Sequence, residues 1–184
     1  RHVREAGIES LEHRKTYYTS NAGTAELRVE IANYMKRRFG LQYEAMTETF
    51  VTVGGSEAID LAVRAIVSPG DEVIIPTPCF VCYDPIVRLA GGVPVILETE
   101  LKDEFKLTAE KLKAAITPKT KMLVLPFPNN PTGAILTKDE LEDIADVLRG
   151  TDIMVLSDEI YAELSYAGPH ISIATLPGIQ ERTI

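Results

Sequence analysis

Lys121-Met-Leu-Val-Leu125, with the loop Pro126-Phe-Pro-Asn-Asn-Pro-Thr-Gly133 behind it, decides the fold of this chain. After Lys121 the run is apolar on both faces, the pattern of a strand covered on two sides. The loop is fixed by three prolines and a glycine. Thr137-Lys-Asp-Glu140 reads as a capping box opening a helix to about Leu148. Asp152-Ile-Met-Val-Leu156 is then a second apolar strand. A strand, a helix of that length and another strand make a crossover unit, which joins parallel strands.

The same alternation extends upstream. Glu72-Val-Ile-Ile-Pro76 and Val93-Pro-Val-Ile-Leu97 read as strands, with a helix from about Phe80 to Ala90 between them, broken near Pro85. Thr108 can cap a helix over Ala109 to Ile116. Thr49-Phe-Val-Thr-Val53 reads as a further strand, after which Gly54-Gly55-Ser56 opens a helix to about Val67, with Ser56 at the N-cap. Ala25 to Phe39 places Leu27, Ile31, Tyr34, Met35 and Phe39 near one helical face, and Gly40 fits a C-cap. Another strand begins at about Thr183. These elements predict an α/β chain, a three-layer αβα stack around a mostly parallel sheet. In such sheets ligands sit beyond the carboxyl ends of the strands, so the loops there are where chemistry belongs.

Composition narrows the class. The chain has 184 residues, 45% hydrophobic and 25% charged, with a formal net charge of −8. An acidic balance opposes binding to a nucleic-acid backbone, which needs a basic stripe. No apolar run approaches the roughly 20 residues of a membrane span. The two cysteines, Cys79 and Cys82, form no disulfide framework, and a cytoplasmic location is the expectation. Their CxxC spacing lacks the further ligands of a zinc site. Lys36-Arg37-Arg38 suits the end of a helix dipole. Arg1 stands where an initiator methionine would, and both ends read as those of an excised piece.

Three loops carry candidate chemistry. Gly54-Gly55-Ser56-Glu57 joins a strand to a helix, where free N–H groups and the dipole can hold an anion; the plain alternative is a tight turn with an ordinary cap. It is neither a dinucleotide fingerprint nor a P-loop. Asn129-Asn130-Pro131-Thr-Gly133 can present an amide at the sheet edge, or be a simple Asn-Pro turn. Ser157-Asp158-Glu159-Ile-Tyr161 puts a carboxylate at the end of a buried strand, which is costly unless a donor or cation meets it.

Taken with Tyr17-Tyr18-Thr-Ser-Asn-Ala-Gly23-Thr-Ala-Glu26-Leu27-Arg28 and Thr52-Val-Gly-Gly-Ser-Glu-Ala58, these loops resemble the class I/II, pyridoxal-phosphate-dependent aminotransferases of fold type I, in their aspartate and aromatic branch. The resemblance covers essentially the whole chain, in family order. It implies the front of the large, cofactor-binding domain over residues 23–184, preceded by an N-terminal helix and inter-subunit arm over 1–22. It also implies a site. Asp158 would pair with the pyridine nitrogen, and Asn130 and Tyr161 would hydrogen-bond the ring's phenolic oxygen. Phe80 would stack on the ring, with a plain core aromatic as the alternative. Gly55, Ser56 and Glu57 would hold the phosphate, joined by Tyr18 from the neighbouring subunit of a homodimer. The implied reaction moves the amino group of an L-amino acid to a 2-oxo acid.

The family's Schiff-base lysine is expected about seven residues beyond Ile184, so this chain alone is expected to be inactive. Two alternatives keep the scaffold: a C–S β-lyase or other fold-type I enzyme, and a non-catalytic fragment that only binds cofactor.

Overall fold

The apolar runs assemble as parallel strands in the computed structural model, which describes residues 1–184. Strands β1 (Glu72–Thr77), β2 (Val93–Glu98), β3 (Thr120–Leu125) and β4 (Met154–Ser157) form one sheet in the order β2-β1-β3-β4. All three pairings are parallel. Six α-helices accompany them: α1 (His2–Glu12), α2 (Ala25–Phe39), α3 (Gly55–Ile66), α4 (Tyr83–Leu89), α5 (Ala109–Ala115) and α6 (Lys138–Leu148).

The two-residue period of the strands divides the core. Ile74, Leu123, Leu125 and Val155 face Leu112 of α5 and Leu141, Ile144 and Leu148 of α6. Val73, Ile75, Met122, Val124 and Leu156 face the other way, onto Ile59 and Val63 of α3 and Tyr83, Ile86 and Val87 of α4. Helices therefore cover both faces, which is the three-layer α/β architecture the sequence predicts. Each fully buried aliphatic side chain contributes about 1.5–3 kcal/mol of transfer free energy.

Local signals fix several helix ends. Thr137 Oγ1 accepts from the Glu140 N–H at 3.3 Å while Glu140 Oε2 accepts from the Thr137 N–H at 2.7 Å, a complete capping box. Thr108 Oγ1 accepts from the Lys111 N–H at the start of α5. Gly40 ends α2 in the left-handed conformation. Tyr34 and Arg38 of that helix both donate to Glu163 Oε1, at 2.6 and 2.8 Å, tying α2 to the loop after β4. No residue of α1 is buried.

Three expectations need correction. Thr49–Val53 takes no regular secondary structure and joins no ladder; its one backbone–backbone bond runs from the Val51 N–H to the Ala22 carbonyl at 3.0 Å. An apolar alternation can fix a strand's conformation, but only a neighbouring strand makes it part of a sheet, and the β4 edge pairs instead with Thr183 and Ile184. The helix expected from Phe80 begins at Tyr83, so Pro85 lies in its first turn, where a missing N–H leaves no bond unmade, and it starts the helix rather than breaking it. The N-cap of α3 is Gly54, not Ser56.

Candidate functional site

Beyond the carboxyl ends of β1, β3 and β4 lies an open cleft of about 170 Å³. Gly55, Ser56, Phe80, Asn130, Asp158 and Tyr161 all line it, so six of the eight residues singled out in the sequence converge on one place. Glu57 and Tyr18 do not line it. Tyr18 is fully exposed on the segment after α1.

One end of the cleft is the start of α3. Gly54 adopts a φ of 90°, a left-handed value that a side chain would strain, and no side chain caps the helix. Glu57, in the first turn, turns its carboxylate back onto the Val53 N–H at 2.5 Å, and Thr52 Oγ1 donates to the Gly54 carbonyl at 2.9 Å. That arrangement makes the turn rigid and leaves the first N–H groups of α3 without a side-chain acceptor. Gly55 has an ordinary φ, and a Cβ built on it would meet only Ile160 Cδ1, at 4.0 Å. Neither backbone nor packing demands glycine there; what its absent side chain preserves is cleft space against the helix end.

Two residues of the sequence upstream hold this turn from behind. Arg28 Nε donates to the Thr49 carbonyl at 2.9 Å, and its guanidinium also reaches the Met46 carbonyl. Gly23, at φ 95°, lies so close to Val51 that a Cβ would come within 2.6 Å of its Cγ2. Both act on the segment leading into Gly54, which is their physical reason for standing in the Tyr17–Arg28 stretch.

The opposite end is built by β3 and β4. The Asp158 N–H donates to the Leu125 carbonyl at 3.1 Å, continuing the ladder one residue past β4 and aiming its carboxylate into the cleft. Asp158 Oδ2 accepts from the Tyr83 hydroxyl at 2.7 Å and Oδ1 from the Ile160 N–H at 3.3 Å. A carboxylate has about four lone-pair sites, so capacity remains for a ligand's donor. The cost of a carboxylate at a strand end is thus met first by a phenol. Burial and the Asp158 carboxylate push the Tyr83 hydroxyl far up, so it stays protonated and serves as donor.

The two asparagines of the Asn129–Gly133 loop divide their work. Asn129 is buried: its Nδ2 donates to the Pro126 carbonyl at 3.3 Å, and its Oδ1 accepts from the Thr132 N–H at 3.2 Å and the Thr132 hydroxyl at 2.9 Å. It fixes the loop, and Asn130 lines the cleft. Tyr161 lines it too, and Phe80 forms a side wall, edge-on to Tyr83 at 6.2 Å between ring centroids.

Sequence reasoning missed Tyr83, Ile59, Pro126, Pro128 and Ile160, which complete the lining. For Tyr83 the one available signal was an aromatic with a polar tip on the apolar face of the helix, in register with Ile86 and Val87. Cys79 and Cys82 are free, half-buried thiols packed against the α3 and α4 side of the core. Burial, with Cys82 and Asp84 nearby, pushes Cys79 up to about 11, the reverse of an activated thiol. Behind the cleft, Glu159 accepts from the Ser157 and Ser172 hydroxyls, each at 2.7 Å, and its Oε2 lies 2.8 Å from His170 Nε2. This cluster fastens the loop after β4.

Fold and site define a class: a three-layer α/β chain with a cleft at the carboxyl edge of a parallel sheet, largely apolar and bearing a few convergent polar side chains. Within that class, the profile of aminotransferase class I and II matches residues 1–183, and the chain belongs to that family. It is 53% identical over 182 residues to YugH of Bacillus subtilis, whose name gives the aminotransferase class but no substrate; that covers 99% of this chain and 47% of the relative. It is 42% identical over 184 residues to the aromatic-amino-acid aminotransferase 2 of Thermococcus litoralis, covering 100% of this chain and 47% of that one. Among solved structures, the aromatic aminotransferase of Pyrococcus horikoshii superposes with a TM-score of 0.96 at 44% identity, over 99% of this chain and 49% of that one. The fold is accordingly that of the fold-type I aminotransferases. The chain spans about half the length of the curated relatives it matches. No helix is long and apolar enough to cross a membrane.

Proposed function

We propose that the protein containing this chain is a pyridoxal-phosphate-dependent aminotransferase, moving the amino group of an L-amino acid to a 2-oxo acid, and that residues 1–184 form the cofactor-holding half of its site. One observation carries the reading: an uncapped helix end, a fixed carboxylate, an aromatic wall and the polar tips of Asn130 and Tyr161 meet in a single cleft. The donor set fits the group. The phosphate would take the N–H groups of Gly55, Ser56 and Glu57 with the Ser56 hydroxyl, where the helix dipole favours an anion. Gly55 leaves room for that approach.

When bound, pyridoxal phosphate supplies an electron sink for the α-carbon of an amino acid. The Asp158 carboxylate, across the cleft from the start of α3, would pair with the ring nitrogen. Asn130 Nδ2 and the Tyr161 hydroxyl would donate to the ring oxygen, and Phe80 would cover a ring face and exclude water. No lysine lines the cleft, so the covalent anchor is assigned to residues outside 1–184. The exposure of α1, Tyr17 and Tyr18 supports an arm that packs on a second copy, with Tyr18 reaching its phosphate in a homodimer. A cytoplasmic location and a biosynthetic role belong to the same proposal.

The test uses the full-length protein. Pyridoxal phosphate titration, borohydride reduction and peptide mapping should trap no lysine within 1–184; trapping on one of them overturns the assignment. With an amino acid present, product formation should depend on an added 2-oxo acid, whereas ammonia release without one marks a lyase. Asp158→Asn should still take up the cofactor, with weaker affinity, and lose most turnover.

A further inference from the structure

The contact between Tyr83 and Asp158 spans the sheet. Tyr83 opens α4, after β1, while Asp158 follows β4, and β3 lies between those strands. The hydroxyl is 2.7 Å from Asp158 Oδ2, and Tyr83 is 2% exposed, so the carboxylate is the acceptor within its reach. Its ring is also the edge partner of Phe80, at an interplanar angle of 85°. One buried side chain thereby touches both the wall and the charged end of the cleft.

A half-exposed carboxylate on a loop has two rotatable bonds and would sample several directions. The Ile160 N–H at 3.3 Å is a weak restraint on Oδ1. The Tyr83 hydroxyl is the short, charge-assisted bond, and such bonds are about twice as strong as neutral ones. Because that hydroxyl stays protonated, it donates throughout the working pH range and cannot reverse its role.

We propose that Tyr83 is a positioning residue: its hydroxyl fixes the direction of the Asp158 carboxylate, and with the Phe80 contact it sets the seat of the cofactor ring. This rests on the reading of Asp158 as the partner of the ring nitrogen. Its alternative is a core tyrosine whose hydroxyl merely found an acceptor.

The experiment is a double-mutant cycle in the full-length protein, with the dissociation constant for pyridoxal phosphate, measured by absorbance titration of the apoprotein, as first readout and kcat as second. Tyr83→Phe keeps the buried ring. It should weaken cofactor binding about 10-fold, close to the lower end of what a hydrogen bond to a charged group contributes, and lower kcat by a similar factor. In the Asp158→Asn background the same substitution should change binding less than 2-fold, because its effect passes through the carboxylate. Tyr83→His, which keeps a ring and a donor, should bind at least 3-fold more tightly than Tyr83→Phe; it also serves if the Phe variant fails to accumulate.

Equal losses from Tyr83→Phe in both backgrounds, or equal affinities of the Phe and His variants, would overturn the positioning role. Failure of the underlying reading looks different. Asp158→Asn would then leave both affinity and turnover unchanged, whatever Tyr83 does.

Discussion

Gly23→Ala tests whether the segment before α3 is set from behind. Gly23 has a φ of 95°, where an L side chain is strained by about 1–2 kcal/mol. The new Cβ would stand 2.6 Å from Val51 Cγ2 and 2.7 Å from Val51 Cβ, far inside contact distance. Overpacking of that kind costs about 1–3 kcal/mol, so the expected loss is about 2–5 kcal/mol. With a urea slope of about 2 kcal/mol per molar, the unfolding midpoint should fall by about 1–2.5 M, followed by circular dichroism. A rescue series separates the two causes. Val51→Ala leaves the Val51 Cβ in place and should restore little, while Val51→Gly should restore the packing share of about 1–3 kcal/mol and leave the backbone strain. Because Val51 is bonded to Ala22 and leads into Gly54, Gly23→Ala should also weaken phosphate binding at α3. A neutral Gly23→Ala, or purely additive effects with Val51→Gly, would refute the reasoning.

Gly55→Ala should leave the apoprotein as stable or about 0.4–1 kcal/mol more so, since its φ suits alanine and its Cβ has space. The same methyl group should cost about tenfold or more in pyridoxal phosphate affinity, and unchanged affinity in a fluorescence titration would remove Gly55 from the site. Thr137→Ala should cost about 1 kcal/mol of stability by removing half of the capping box, read as a melting-temperature shift. Burial pushes Glu140 up, but the Thr137 N–H and the Lys106 ammonium bring it below its ordinary value overall. The folded state therefore binds that proton more weakly; the stabilisation is complete above the unfolded carboxyl range, near pH 4.3, and is lost as pH falls through the folded value. Glu140→Gln should flatten the acid side of the stability profile, and an unaltered acid limb would count against the assignment. At pH 8, moving Cys79 from 9.0 to about 11 lowers its thiolate fraction about 100-fold; higher intrinsic nucleophilicity returns about 10-fold. Alkylation of Cys79 should then run at least about 10-fold slower in the native than in the urea-unfolded protein, as mapped by mass spectrometry.

Strand and helix identity was legible where the pattern was long and bounded. Lys121–Leu125 and the Thr137–Glu140 box could be read from side-chain period and capping chemistry because both act within a few residues. Thr49–Val53 could not, since membership of a sheet depends on a strand distant in sequence. Asn130 and Asp158 were legible as loop residues at strand ends, but their neighbours were not. Asn129 and Asn130 are identical in composition and adjacent in sequence, and only the fold sends one amide inward to Thr132 and the other to the cleft.

The amino-acid sequence by itself determined the α/β class, the places of most helices and strands, the three loops at the carboxyl edge and the family. Each of these is a local or order-based property, expressed in periodicity, capping and motif succession. Only the tertiary structure decided that Tyr83 meets Asp158 across β3, that Gly23 and Arg28 brace the approach to Gly54, and that Gly55 is small for the sake of empty space. Those facts join residues tens of positions apart, and their distances are set by how helices of fixed width pack on a twisted parallel sheet.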